Sequence, residues 1–421
     1  MRSFLSIKTF IIVFLIFTVN ISFAQKYDIL IKGGHLIDPK NRIDQKMDIA
    51  IIGGKIAKVT SQIPENSAKK VVQADGMYIT PGLIDMHAHV FWGVKPDSYI
   101  SNSYTSLPPD GFTFRAGITT IVDAGSAGWR NIRIFEEQTV QQSKTRVLAF
   151  INIVGAGMKG GALEQNLLDM DPKLTAMVAK KYKDFVVGIK LAHYSGPEWI
   201  PLQRTVEAGV IADMPVMIDF GGNDPELSLK RLFLEELRPG DIFTHCFAHV
   251  KGRTAIVDDN GKVRPFVWDA YNRGIVFDVG HGGGSFRFDQ AIPALEQGFR
   301  PNSISTDLHT GSMNGAMKDI VNIMSKFLNM GMTLSEVING VTWHPAQYIQ
   351  HEELGHLTVG AVADIAVLKL ENGQFGFDDI SGKKIEGNQK LQCELTLRDG
   401  KIVWDLNGIS MPRWEKSAGS K

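Results

Sequence analysis

Residues 81–90 read PGLIDMHAHV. The Pro81-Gly82 pair marks a turn, and the apolar run around it favours a strand that starts just after it. On a strand, side chains two apart share a face, so His87 and His89 deliver two imidazoles into one space. That is a poor use of a core face, because both rings need polar partners. It is a good use when a metal ion lies between them. From spacing alone, two independently satisfied histidines remain the alternative.

The length of 421 residues suits a large barrel with a smaller domain. Formal net charge is zero and there is no long basic or acidic block, which argues against a nucleic-acid surface. Glycine is abundant, at 42 residues, as many tight turns would require. At the start, Arg2 and Lys8 lead into FIIVFLIF, an apolar stretch too short to span a membrane with normal flanks. Ser22-Phe23-Ala24 then places small residues where a signal peptidase reads. Residues 1–24 are therefore expected to be a signal peptide, cleaved before Gln25, with no stable membrane anchor afterwards. A retained anchor is the alternative. The expected location is periplasmic or secreted. The absence of a cysteine at the cleavage point argues against a lipoprotein. Cys246 and Cys393 do not make a disulfide framework, and packing is their default role.

From Lys26 to about Thr80 the texture is short and β-like. YDILIKGGHLID, DIAIIGGKIAKVT and KKVVQADGMYIT alternate apolar residues around Gly-Gly or Asp-Gly turns. GHLTVGAVADIAVLKLENG and CELTLRDGKIVWD repeat that texture near the other end. Residues 25–80 plus 352–412 are expected to form one β-sandwich. Residues 81–351 differ. Strand candidates recur there roughly every 30 residues, with helical stretches between most of them, as a parallel βα array requires. There are eight: GLIDMHAHV, GITTIVDAG, RVLAFINIVG, VVGIKLAH, PVMIDF, DIFTHCF, GIVFDVGHG and SISTDLH. The expected fold is α/β, a (β/α)8 TIM barrel with a β-sandwich from both chain ends. A doubly wound open sheet is the runner-up, but no G-x-G-x-x-G follows the first strand.

Several strands end in ionisable side chains: His87 and His89, Lys190, Asp219, His245, His281 and Asp307. In such a barrel the strand C-termini meet at one face, where active sites are built. Distant residues would converge there, which gives the His-x-His pair company.

With these residues in view, the chain resembles the amidohydrolase superfamily. PGLIDMHAH after a β-rich segment, GIK on strand four, THCF on strand six and STD on strand eight carry the likeness. HAHVFWG, DVGHGGGSF and STDLH point further to a deacetylase-like branch related to dihydroorotases. The resemblance implies two divalent metals, usually zinc, sharing a bridging hydroxide. His87, His89 and Asp307 would hold the more buried metal. Lys190 would be carboxylated and bridge both, and His245 would hold the outer metal. Burial would leave Lys190 a neutral amine able to take up carbon dioxide. A buried ion pair is the alternative for Lys190.

One position departs from the family pattern. Strand five usually ends in a histidine, and here PVMIDFGG supplies Asp219. As a further anion Asp219 would lower the charge of the metal cluster, so that it polarises a carbonyl less. Paired instead with an uncarboxylated Lys190, it would leave one metal on His87, His89 and Asp307. Two metals are the expectation.

The implied chemistry is attack of a metal-bound hydroxide on an acyl amide or ester, with Asp307 taking the water proton and passing it to the leaving group. The loop at His281, Gly282 and Gly283 is expected to line the substrate pocket. His309 is placed to orient Asp307 or to meet substrate, and His193, three residues after Lys190, to stand behind the metal ligands. His249 and His344 read as structural. Phe91, Trp92 and Trp129 are candidates for an apolar wall. Dihydroorotase-like enzymes commonly carry an arginine just after His-x-His, and VFWG lacks it. This favours a small acylated substrate over a cyclic ureide. The alternatives are a dihydroorotase-like cyclic amidase and a metal-deficient relative that binds without turnover. A homo-oligomer is compatible with the sequence.

Overall fold

The computed structural model describes residues 25–92, 105–219 and 222–414. The expected signal peptide, Gly93 of VFWG, and Phe220 and Gly221 of PVMIDFGG lie outside the described residues.

Seven parallel strands form one sheet in sequence order. They are β1 (Leu83–Ala88), β2 (Ile118–Gly128), β3 (Arg146–Asn152), β4 (Val186–Leu191), β5 (Val216–Ile218), β6 (Ile242–Phe243) and β7 (Val276–Phe277). Every residue of β1, β2 and β4 is buried. That continuous burial is the mark of a parallel sheet covered on both faces, and it explains why these strands read as unbroken apolar runs. Helices lie between the strands, among them α1 (Pro172–Lys181), α2 (Ile200–Ala212) and α3 (Pro265–Arg273). Asp171 caps α1 by accepting from the amides of Lys173 and Leu174.

The eighth candidate, SISTDLH, forms no regular strand. It makes isolated parallel bridges to both edges of the sheet: Ser303 with Asp278 just past β7, and Leu308 with Ala88 of β1. The Asp307 amide donates to the His87 carbonyl at 2.7 Å, and the His89 amide to the Leu308 carbonyl at 2.9 Å. Twist between neighbouring strands carries one edge round towards the other. Residues 303–308 thus lie hydrogen-bonded between the first and last strands.

The chain ends build two further sheets. One has four strands, all from residues 27–73. The other has six and joins Tyr78–Pro81 to Ile365–Asp378, with Lys384–Arg398 beyond it. Ile31, Leu36, Ile49, Val72, Ile365, Val367 and Leu395 share one core between them. The long hairpin Ile365–Asp378/Lys384–Arg398 breaks register at Asn372/Phe375, then runs on beside helix α4 (Ile320–Asn329). There the Leu391 amide donates to Ser325 Oγ at 2.9 Å. Both cysteines are buried and free.

Asp364 ties the two parts together. It accepts from Arg146 at the start of β3 (2.5 Å), from the Asp399 amide (2.7 Å) and from Arg398 (3.4 Å). The carboxylate is largely buried, so removing it strands two guanidinium groups. Asp364→Ala should lower the unfolding free energy by about 2–3 kcal/mol, read from urea midpoints; an unchanged midpoint would show that this junction carries no stability.

Candidate metal centre

The strand ends bring the expected residues together. His87, His89 and Asp307 place one ligand atom each within 4.8 Å of one another, and all three are buried. Asp307 Oδ1 lies 3.1 Å from His89 Nε2 and 3.5 Å from His87 Nε2. His245 packs against His87, with ring centroids 5.0 Å apart. Lys190 Nζ is 3.4 Å from His87 Nε2. Asp219 Oδ2 is 3.5 Å from His245 Nε2.

The hydrogen-bond network fixes which nitrogen each histidine presents. Asp278 accepts from the hydroxyls of Thr244 (2.7 Å), Ser303 (2.5 Å) and Ser305 (2.8 Å). Since the Thr244 proton goes to Asp278, its oxygen accepts from His87 Nδ1 at 2.8 Å. His245 Nδ1 donates to the Gly280 carbonyl at 2.6 Å. In their neutral forms both rings therefore turn the lone pair of Nε2 to the centre. This is the arrangement that metal-binding imidazoles need. Asp278 and Thr244 were not singled out in the sequence, although both sit in the motifs DVGHG and THCF.

Burial alone would raise the pKa of Asp307, yet His87, His89 and His245 around it hold its carboxyl well below the usual range. Asp219 is likewise held low against burial, by His245 and Lys190. Burial pushes Lys190 down, opposed chiefly by Asp219. It also pushes His87 down to about 3, with Lys190 adding to it. Among the described residues no carboxylate lies within 4 Å of Lys190 Nζ, although Asp219 is near enough to oppose the effect of burial. A buried amine, two imidazoles that turn Nε2 to the centre and two ionised carboxylates are a donor set that fits divalent metal ions.

Backbone strain and glycines make the close approach workable. His193, His245 and Asp307 all adopt positive φ, at 58°, 56° and 50°. Such conformations persist in non-glycine residues only where the surroundings enforce them. At Gly125 a Cβ would stand 2.6 Å from Lys190 Cγ, and at Gly282 2.3 Å from Asp307 Oδ2.

The glycine-rich loop after β7 differs from the expectation. Gly282 abuts Asp307, and a Cβ on Gly283 would meet the Gly311 carbonyl at 2.8 Å. The His281 side chain is fully buried and points away from the centre. Its Nδ1 donates to the Gly282 carbonyl (3.0 Å), Nε2 accepts from Lys326 of α4 (2.8 Å), and the ring stacks on Phe286. With both nitrogens engaged inside the protein, His281 shapes the loop rather than touching substrate. His309 Nε2 lies 3.7 Å from Asp307 Oδ2 and stays partly exposed. His344 bonds Asn339 and the Asn302 carbonyl. Phe91 is buried edge-on against Phe135, and Trp129 lies under the Arg130 guanidinium.

The amidohydrolase family model matches residues 287–403. A deacetylase of Enterococcus faecalis is 32% identical over 388 residues, covering 89% of this chain and 99% of that protein. A deacetylase of Agrobacterium fabrum is 32% identical over 351 residues, 82% of this chain and 83% of that one. The solved structure of an adenine deaminase superimposes with a TM-score of 0.79 at 30% identity, covering 90% of this chain and all of that one. That of a dihydroorotase gives 0.77 at 28%, covering 90% and 99%. Fold and site together define a hydrolase of the class that acts on carbon–nitrogen bonds and generally uses divalent metals. The chain belongs to the amidohydrolase superfamily, in its deacetylase-like branch.

Lys326 offers a pH test of the loop. Burial lowers its pKa to about 7, from 10.5 in the unfolded chain. Between those values the unfolded chain holds a proton that the folded one lacks, so stability rises with pH. Relative to Lys326→Met, the native protein should gain about 1.4 kcal/mol per pH unit between about pH 7.5 and 9.5, measured by denaturant unfolding. A pH-independent difference would contradict the buried neutral amine.

Proposed function

We propose that this chain is a divalent-metal-dependent hydrolase of deacetylase or acylase type, cleaving an acyl amide or acyl ester bond in a small molecule. The carrying observation is the convergence of His87, His89 and Asp307 with inward Nε2 atoms. The relatives named deacetylase support the acyl bond. We read residues 303–308 as the eighth strand of a (β/α)8 barrel spanning 81–351, supported by its bridges to both sheet edges. Residues 25–80 and 352–412 form the companion β-sandwich domain. Residues 1–24 are read as an export signal, which places the mature chain outside the cytoplasm.

His87 Nε2, His89 Nε2 and Asp307 Oδ1 would hold the inner metal, and His245 and Asp219 the outer one. Lys190, whose pKa burial pushes down, would bridge them as a carbamate once its amine loses its proton and takes up carbon dioxide. When bound, zinc or a similar ion supplies Lewis acidity at the scissile carbonyl and lowers the pKa of a water to about 7. Asp307 divides its two oxygens. Oδ1 faces His87 and His89, while Oδ2 faces His309 and the bare Cα of Gly282. Oδ2 is therefore the atom that takes the proton of the attacking water and delivers it to the leaving nitrogen or oxygen. His309, on the open side of Oδ2, holds that oxygen in line and meets the substrate.

Purified protein should hydrolyse N-acetyl or O-acetyl compounds, and chelation should stop it. Asp307→Asn should cut kcat/KM by about 10²–10⁴-fold. An undiminished rate in that variant would overturn the assignment of Oδ2 as proton carrier.

A further inference from the structure

A second group of side chains converges on Asp219 from outside the expected set. His193, three residues beyond Lys190, places Nε2 at 3.5 Å from Asp219 Oδ2, matching the 3.5 Å from His245 Nε2 to the same oxygen. Its Nδ1 lies 2.8 Å from Glu164 Oε2. An ionised carboxylate only accepts, so Nδ1 donates to Glu164, and the ring holds Asp219 through a second proton on Nε2. His87 and His245 show the same pattern, pinned through Nδ1 and presenting Nε2 inward.

Glu164 is itself held in place. Its side chain is only 2% exposed, and its other oxygen accepts from the Gly160 amide at 2.6 Å. The next residue closes the clamp: Gln165 donates to the His193 carbonyl (2.7 Å) and accepts from the Ser195 amide (2.9 Å). The short helix Gly161–Gln165, in the long connection after β3, thereby fixes the left-handed His193 after β4. A buried carboxylate is costly unless paired, and this one pairs with a histidine whose far side faces Asp219.

We propose that Glu164 and His193 form a positioning arm for Asp219, setting its carboxylate as a ligand of the outer metal. The inference rests on the two-metal reading above. Asp219 follows the short strand β5, and its aspartate side chain is shorter than a histidine. His193 on one side and His245 on the other flank its Oδ2, each at 3.5 Å. Carboxylate ligands are commonly held by such outer partners, and losing one typically costs 10–100-fold in metal affinity.

The test is zinc titration of metal-stripped full-length protein by calorimetry, comparing the native chain with His193→Gly and Glu164→Gln. Glycine relieves the positive φ at 193, and His193 is half exposed, so the first variant should fold. The native chain should bind two zinc ions. Both variants should keep the tighter site and weaken the other by about 10–100-fold. Two unaltered sites in both variants would overturn the arm. Equal weakening of both sites would also overturn it, since the pair would then prop up the whole centre. A native chain that binds one zinc would overturn the two-metal reading and the arm with it.

Discussion

The site depends on keeping one buried carboxylate ionised. Asp307 sits where desolvation favours its neutral form, and the imidazoles of His87, His89 and His245 reverse that preference. Those rings must come from β1 and from the segment just past β6, while Asp307 itself comes from residues 303–308. A parallel sheet meets this demand, because all its strand C-termini emerge on one side. The backbone then turns sharply. His245 and Asp307 both take left-handed conformations, and Gly280 and Gly282 leave out the side-chain atoms that would collide with Thr244 and Asp307.

Below the metal ligands lies an inner anion, Asp278, which never meets the open face. Three hydroxyls donate to it, and through Thr244 it sets the tautomer of His87. His245 is set by a backbone carbonyl instead, and His193 by Glu164. Three different acceptors thus achieve one result, an Nε2 turned inward. The chemistry at the surface is prepared by polar groups that pack beneath or beside it.

Much of this was legible in the sequence. The His-x-His pair, the strand-terminal positions of Lys190, Asp219, His245 and Asp307, and the matching β texture of both chain ends are local signals. The supports were not legible, for a physical reason. Lys326 follows Ser325 in a helix that also carries Asn322 and Asn329, so its pattern does not single it out, and only packing shows that its amine turns inward to His281. His281 looked like a pocket residue because it follows β7, but the loop rotates its ring back into the core. Glu164 belongs to a five-residue 3₁₀ turn in a long connection, where periodicity carries no information. Residues 303–308 read as a strand yet make only isolated bridges, since hydrogen bonds there are shared between two edges and with the bend at Asp307.

The central claim is that His87, His89 and Asp307 hold a catalytic metal. The most direct measurement is anomalous X-ray diffraction, at the zinc edge, from crystals of protein purified without chelators and supplied with zinc. The account predicts a strong peak within coordination distance of His87 Nε2, His89 Nε2 and Asp307 Oδ1, about 2.0–2.2 Å from each. No peak there at saturating zinc, or a peak only at distant surface residues, would contradict it.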